Sequence, residues 1–237
     1  MKLRQVYQRQ RSKLFELSSF LIKKDNTSEK FKIDDIKNMV NNFSQFVLPV
    51  ENSCFNEQAI LPYGLKLEHI NSAMNDFCNF LLFINKELYK NNMPIFVKLL
   101  MQANFSSIVG EFINISIPKY CNTLIKNKYH NGHPDLIEKG KFPNDSIQHS
   151  HDGIEIKASR YDKDWQGHNP ENIWLMVFVF DCSRPNNDSH HKPFYFKAVY
   201  GAKLEEADWQ FAGRKEGSRR TITASVKNSG FEKMSNN

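Results

Sequence analysis

The chain has 237 residues, of which 40% are hydrophobic and 24% charged, a balance that excludes a disordered chain and allows one large domain or a core with an added subdomain. No apolar run approaches the roughly 20 residues of a membrane-spanning helix, and the basic start MKLRQVYQRQRSK lacks the apolar stretch and cleavage site of a signal peptide. A cytoplasmic protein with no membrane partner is expected. The net charge of +6 favours a polyanionic partner.

In chain order, the first hundred residues read as helical. Leu14, Leu17, Phe20 and Leu21 recur at helical spacing, as do Ile36, Met39, Val40, Phe43 and Val47. Asn75 to Lys90 is a further helix, apolar on more than one face and so expected to be buried. This region, residues 1–100, is read as structural, with a dimer interface or a DNA-embracing arm as the functional alternative. The remainder, 101–237, is read as the core. Phe105, Ile108, Val109 and Phe112 mark an amphipathic helix that Pro118 should end or kink. Asn131, Gly132 and Pro134 then punctuate a turn into HPDLI. Strand patterns follow at Gly153–Ser159, Ile173–Phe180 and Phe194–Tyr200. The middle one is continuously apolar, so helices are expected on both faces of its sheet. The fold class is α/β (α+β).

The chemistry is concentrated in GIEIKAS. In a strand, alternate side chains face opposite ways, so Ile154, Ile156 and Ala158 point to the core while Glu155, Lys157 and Ser159 share the other face. Burying two opposite charges in an apolar strand is costly unless they are paired or hold an ion. Asp135 precedes another short apolar run, and the connection is long enough to bring its carboxylate beside Glu155. Asp135 and Glu155 offer hard oxygen ligands for Mg²⁺, with the backbone carbonyl of Ile156 as a further donor. Such a metal activates water and stabilises phosphate charge. Lys157 would orient the attacking water or place a cation beside the transition state. The ordinary alternative is a strand-edge salt bridge beside a turn aspartate.

Pro134–Asp135 followed by Glu155–Ile156–Lys157 resembles the PD-(D/E)XK nuclease motif, and the chain is similar in organisation to bacterial type II restriction endonucleases. The resemblance implies a restriction-endonuclease-like core of a central mixed β-sheet flanked by helices, and Mg²⁺-dependent, site-specific hydrolysis of double-stranded DNA in a bacterial cytoplasm. It assigns catalysis to Asp135, Glu155 and Lys157, and adds Glu111 of the preceding helix to the metal site, with a solvated or salt-bridged glutamate as the alternative for Glu111. A homodimer is expected if the target is a palindrome. The alternatives are a structure-selective repair or recombination nuclease and a non-catalytic DNA-binding protein that kept the fold.

Two segments are candidates for DNA contact. RYDKDWQGHNPE, after the ExK strand, carries Gln166, His168 and Asn169, and amides bond bidentately to adenine. Its alternative is a surface loop with a packed Trp165. GRKEGSRR carries Arg214, Lys215, Arg219 and Arg220, cations suited to phosphate, or else a solvated charge run. Zinc held by His149, His151, His168, His190, His191 and Cys182 ranks low, because the spacing matches no usual zinc pattern. A histidine-metal nuclease with His149 or His151 as base also ranks low, since it leaves PD…ExK unexplained. Cys54, Cys78, Cys121 and Cys182 form no CxxC and read as reduced core thiols.

Overall fold

The computed structural model describes residues 46–51, 55–167, 170–183, 192–212 and 223–236. The helical patterns expected before residue 46, together with Cys54, His168, Asn169, His190, His191 and the cations Arg214, Lys215, Arg219 and Arg220, lie outside the described residues.

Ile70, Ala73, Met74, Phe77, Cys78 and Leu81 form one stripe at helical spacing, and they are the buried side of helix α1 (Leu67–Lys90). Helix α2 (Gln102–Tyr120) buries Phe105, Val109, Ile113 and Ile117 by the same logic. Phe77 is the hinge of this packing: its ring meets Phe105 and Phe112 of α2 and Phe194 and Phe196 beside the sheet. The boundary expected near residue 100 therefore does not divide two cores, because α1 shares one core with α2 and the sheet. Pro118 does not end α2, which runs on to Tyr120. It falls in the last turn, where its missing N–H deprives only one carbonyl of a partner. Asp76 of α1 secures that turn by accepting from Tyr120 Oη at 2.8 Å and Lys119 Nζ at 3.2 Å.

Five strands form a mixed sheet in the order β1 (Leu124–Lys126), β2 (Leu136–Glu138), β3 (Ile154–Ser159), β5 (Ile173–Asp181), β6 (Tyr195–Leu204). The β1–β2–β3 pairings and β5–β6 are antiparallel, and β3–β5 is parallel. Strand β5 is central, and its apolar run is buried on both faces. The strands fall close to their sequence patterns, although β6 extends four residues past the expected end, through Gly201 opposite Met176.

The expectation of helices on both faces is corrected. On one face α1 and α2 cover Ile154, Ile156, Met176, Phe178 and Phe180. On the other, Leu175, Val177 and Val179 lie under a second, three-stranded sheet of β4 (Gln166–Gly167), β8 (Thr223–Val226) and β7 (Trp209–Ala212), with the short helix α3 (Asn228–Asn236). Trp165, Trp209, Ala224, Val226 and Met234 supply the apolar side of that layer. Asp208, 3% exposed, binds Lys233 Nζ at 2.7 Å and Ser229 Oγ at 3.1 Å, so α3 is tied to the turn before β7. Cys78, Cys121 and Cys182 are buried and none is in a disulfide. No described helix is long and apolar enough to cross a membrane.

The turn that joins the HPD segment to β3 depends on Gly153. Its φ of +147° is one that side chains rarely adopt, and a Cβ there would overlap the Leu136 carbonyl oxygen and Pro134 Cγ. Gly140, at φ +78°, has nothing within 4 Å of an added Cβ. Gly153→Ala is expected to lose more than the roughly 1–3 kcal/mol typical of backbone strain alone. Gly140→Ala should lose only about 1–2 kcal/mol. Urea unfolding of the two variants measures the difference, and equal losses would contradict the steric account.

Candidate active site

The site forms where β2 and β3 part. Their ladder is short, Leu136 pairing with Ile154, and beyond it the Ile156 N–H is claimed by a side chain instead of a strand. Asp135 Oδ2 accepts that N–H at 2.8 Å. Asp135 is itself anchored, since its carbonyl accepts the Asn127 N–H at 2.8 Å. Asn127, 7% exposed, also donates through Nδ2 to the carbonyls of Pro134 and Ile147, so it clamps the HPD segment to the following loop. In an extended strand the N–H and C=O of one residue point to the same side. The Ile156 carbonyl therefore also faces the gap beside Asp135.

The alternation expected for β3 holds. Ile154 and Ile156 are buried against the helices. Glu155 and Lys157 lie beside Leu175 and Val177 in the parallel register, on the face that the small sheet covers over β5 and β6. They stand one strand farther out and are half-buried, with side chains 16% and 22% exposed. Lys157 Nζ donates to Glu155 Oε1 at 3.3 Å.

A histidine joins them that the sequence reading left out of the site. His133 Nδ1 lies 3.0 Å from Glu155 Oε2, and its Nε2 lies 3.7 Å from Glu171 Oε2. The only sequence signal for His133 was its place before Pro134–Asp135, and for Glu171 its place before the buried strand. Glu111, on α2, is 61% exposed and pairs with Lys126 of β1 at 2.6 Å. It is close enough for its charge to act on Asp135, but its nearest partner is the lysine. Gln166 is exposed on β4, opposite Ser225. Trp165, by contrast, is core: it packs on Tyr200 and Phe231 and donates to the Tyr161 carbonyl. The ordinary reading of that tryptophan was the right one.

The electrostatics follow from crowding acids in partial shelter. Burial, then the negative charge of Glu155, pushes the Asp135 carboxyl up to about 7 against the pull of the Ile156 N–H and Lys157. Burial works the same way on Glu155, but the His133 hydrogen bond and the Lys157 charge outweigh it and hold that carboxyl below its ordinary value. Burial would lower His133, yet Glu155, Glu171 and Asp135 together raise it. Glu155 thus stays ionised while Asp135 takes up the strain of the pair.

These residues fit a divalent cation. An ion between Asp135 and Glu155 would relieve the repulsion that raises Asp135, and the Ile156 carbonyl adds a neutral oxygen. Two carboxylates with few other protein donors are what Mg²⁺ commonly uses. Among the described residues, no three His, Cys, Asp or Glu side chains are grouped to hold a metal ion. No family model matches the chain, and neither the curated proteins nor the solved structures contain a match to it.

The raised carboxyl makes a pH prediction. Asp135 titrates higher in the folded chain than its unfolded value of about 3.9. Its stabilising contribution is complete below that pH and is lost as pH rises through about 7. In chelator, Asp135→Asn should therefore be more stable than wild type at pH 8, and the gap should shrink toward pH 4. Urea unfolding across pH 4–8 checks this, and a gap independent of pH would contradict it.

Proposed function

We propose that the protein is a Mg²⁺-dependent endonuclease of the PD-(D/E)XK type, a type II restriction endonuclease that hydrolyses double-stranded DNA at a specific sequence. The observation that carries the proposal is the convergence of Asp135, Glu155 and Lys157 in one half-buried cluster at the parting of β2 and β3, with the Asp135 carboxyl raised to about 7 by burial and by Glu155. A strand-edge salt bridge would need one acid and one lysine. It gives no reason for a second carboxylate brought in and anchored at a cost. The mixed five-stranded sheet agrees with the central sheet that the resemblance implies, while a small sheet stands on the face where a second helical layer was expected.

Each residue has a distinct task in this reading. Asp135 and Glu155, with the Ile156 carbonyl, would hold Mg²⁺, which supplies Lewis-acid stabilisation of charge on the scissile phosphate. The Ile156 N–H fixes the Asp135 carboxylate, so one of its oxygens is already oriented before DNA arrives. Lys157 stands on the same face as Glu155 and carries a fixed ammonium next to the acids. There it offsets negative charge as the phosphate becomes pentacovalent and orients the attacking water. Glu111, exposed and paired with Lys126, would join the metal site by exchanging that lysine for the cation.

Recognition is assigned elsewhere. Gln166, exposed on β4, with His168 and Asn169, and the cations Arg214, Lys215, Arg219 and Arg220 are the DNA-contacting residues in this reading. Two copies acting as a homodimer would match a palindromic target.

The test separates binding from chemistry. Lys157→Ala should cut plasmid DNA about 10²–10³-fold more slowly than wild type in Mg²⁺, with gel-shift affinity retained. Asp135→Ala should lose cleavage together with metal binding. Folding of both variants is checked by circular dichroism. A folded Lys157→Ala protein that cuts at the wild-type rate would remove β3 as the catalytic strand.

A further inference from the structure

Glu155 must be held against the repulsion of Asp135 if it is to present a carboxylate in one place. Of its two partners, Lys157 is a long chain on the same strand, in contact at 3.3 Å with Oε1. His133 is the stiffer one. Its main chain is fixed on both sides, N–H to the Gln148 carbonyl at 3.0 Å and carbonyl from the Ser150 N–H at 2.9 Å. Its ring stacks on His149 with centroids 5.3 Å apart and planes 18° from parallel. Nδ1 then meets Glu155 Oε2 at 3.0 Å.

Behind the ring stands Glu171, 12% exposed. Its Oε2 and the His133 Nε2 are both buried, and neither has a hydrogen-bond partner among the described residues. They lie 3.7 Å apart, beyond a hydrogen bond but by less than 1 Å. A buried acceptor left unmade is costly, and a small rotation of either side chain closes this gap. Glu171 cannot relieve the cost by swinging away with its backbone, because its carbonyl accepts Trp209 Nε1 at 2.9 Å from the small sheet.

We propose that His133, backed by Glu171, is a positioning residue for Glu155: it grips Oε2 from behind and so fixes the carboxylate that faces the cation. The inference rests on reading Asp135 and Glu155 as cation ligands. Groups that bond a ligating carboxylate orient it, and their loss commonly weakens metal binding by about 10–100-fold.

The experiment is calorimetric titration of Mn²⁺ into the metal-free full chain without DNA, at one pH, for wild type and variants. His133→Ala should bind Mn²⁺ about 10–100-fold more weakly than wild type. His133→Asn, which can keep an N–H donor near the position of Nδ1, should recover most of that loss. His133→Phe keeps a stacking ring without the donor, and should bind as weakly as the alanine variant; it takes that variant's place if alanine does not fold. Wild-type affinity in His133→Ala or His133→Phe would overturn the proposal, as would an asparagine variant no better than phenylalanine. Failure of the underlying reading looks different: wild type would then bind no Mn²⁺, or Asp135→Asn would bind it as well as wild type.

Discussion

Two carboxylates, Asp135 and Glu155, are held together in partial shelter from water, and the rest of the local structure is a response to that repulsion. The chain meets it in two ways. Around Glu155 it places a hydrogen bond from His133 and the Lys157 ammonium, which together hold that carboxyl below its ordinary value. Burial and the charge of Glu155 push the Asp135 carboxyl up to about 7, because its backbone N–H and weaker help from the same lysine do not offset them. The pair is unequal in its titration.

The scaffold keeps this pair from relaxing. Strand β3 cannot shift, because its inner side is buried under α2, where Gly110 comes close enough to Ala158 that an added Cβ would lie 3.9 Å from its backbone nitrogen. On the other side β3 is locked in a six-residue parallel register with β5, which is buried throughout its apolar length. The HPD segment cannot swing out, because Asn127 bonds it at several points. Coverage of the sheet is uneven. The small sheet shields β5 and β6 but leaves the polar side of β3 half-open.

Much of this was legible in the sequence because it is local. The alternation of GIEIKAS fixes which residues share a face whatever surrounds the strand, and the unbroken apolar run of β5 marks a strand covered on both sides. The Asp135–Glu155 meeting was readable only through the PD…ExK spacing. What could not be read depends on contacts distant in sequence. Glu171 reaches His133 because the crossover from β3 to β5 returns beside the start of β3, and nothing in RYDKDWQGHNPE signals that. The small sheet was missed for a different reason. Its strands are short, β4 being two residues, and their periodicity is too brief to separate from a loop. Hence a second layer of helices was expected where a sheet stands. The helix runs two residues past Pro118 because a proline in a final turn removes little.

The account turns on whether this cluster hydrolyses DNA at chosen places. The direct measurement is digestion of a sequenced supercoiled plasmid by the wild-type chain in Mg²⁺, with sequencing of every end produced. The account predicts ends that fall at one recurring sequence and no cleavage in excess chelator. Undiminished cleavage in chelator, or no cleavage of any DNA in Mg²⁺ or Mn²⁺, would contradict it.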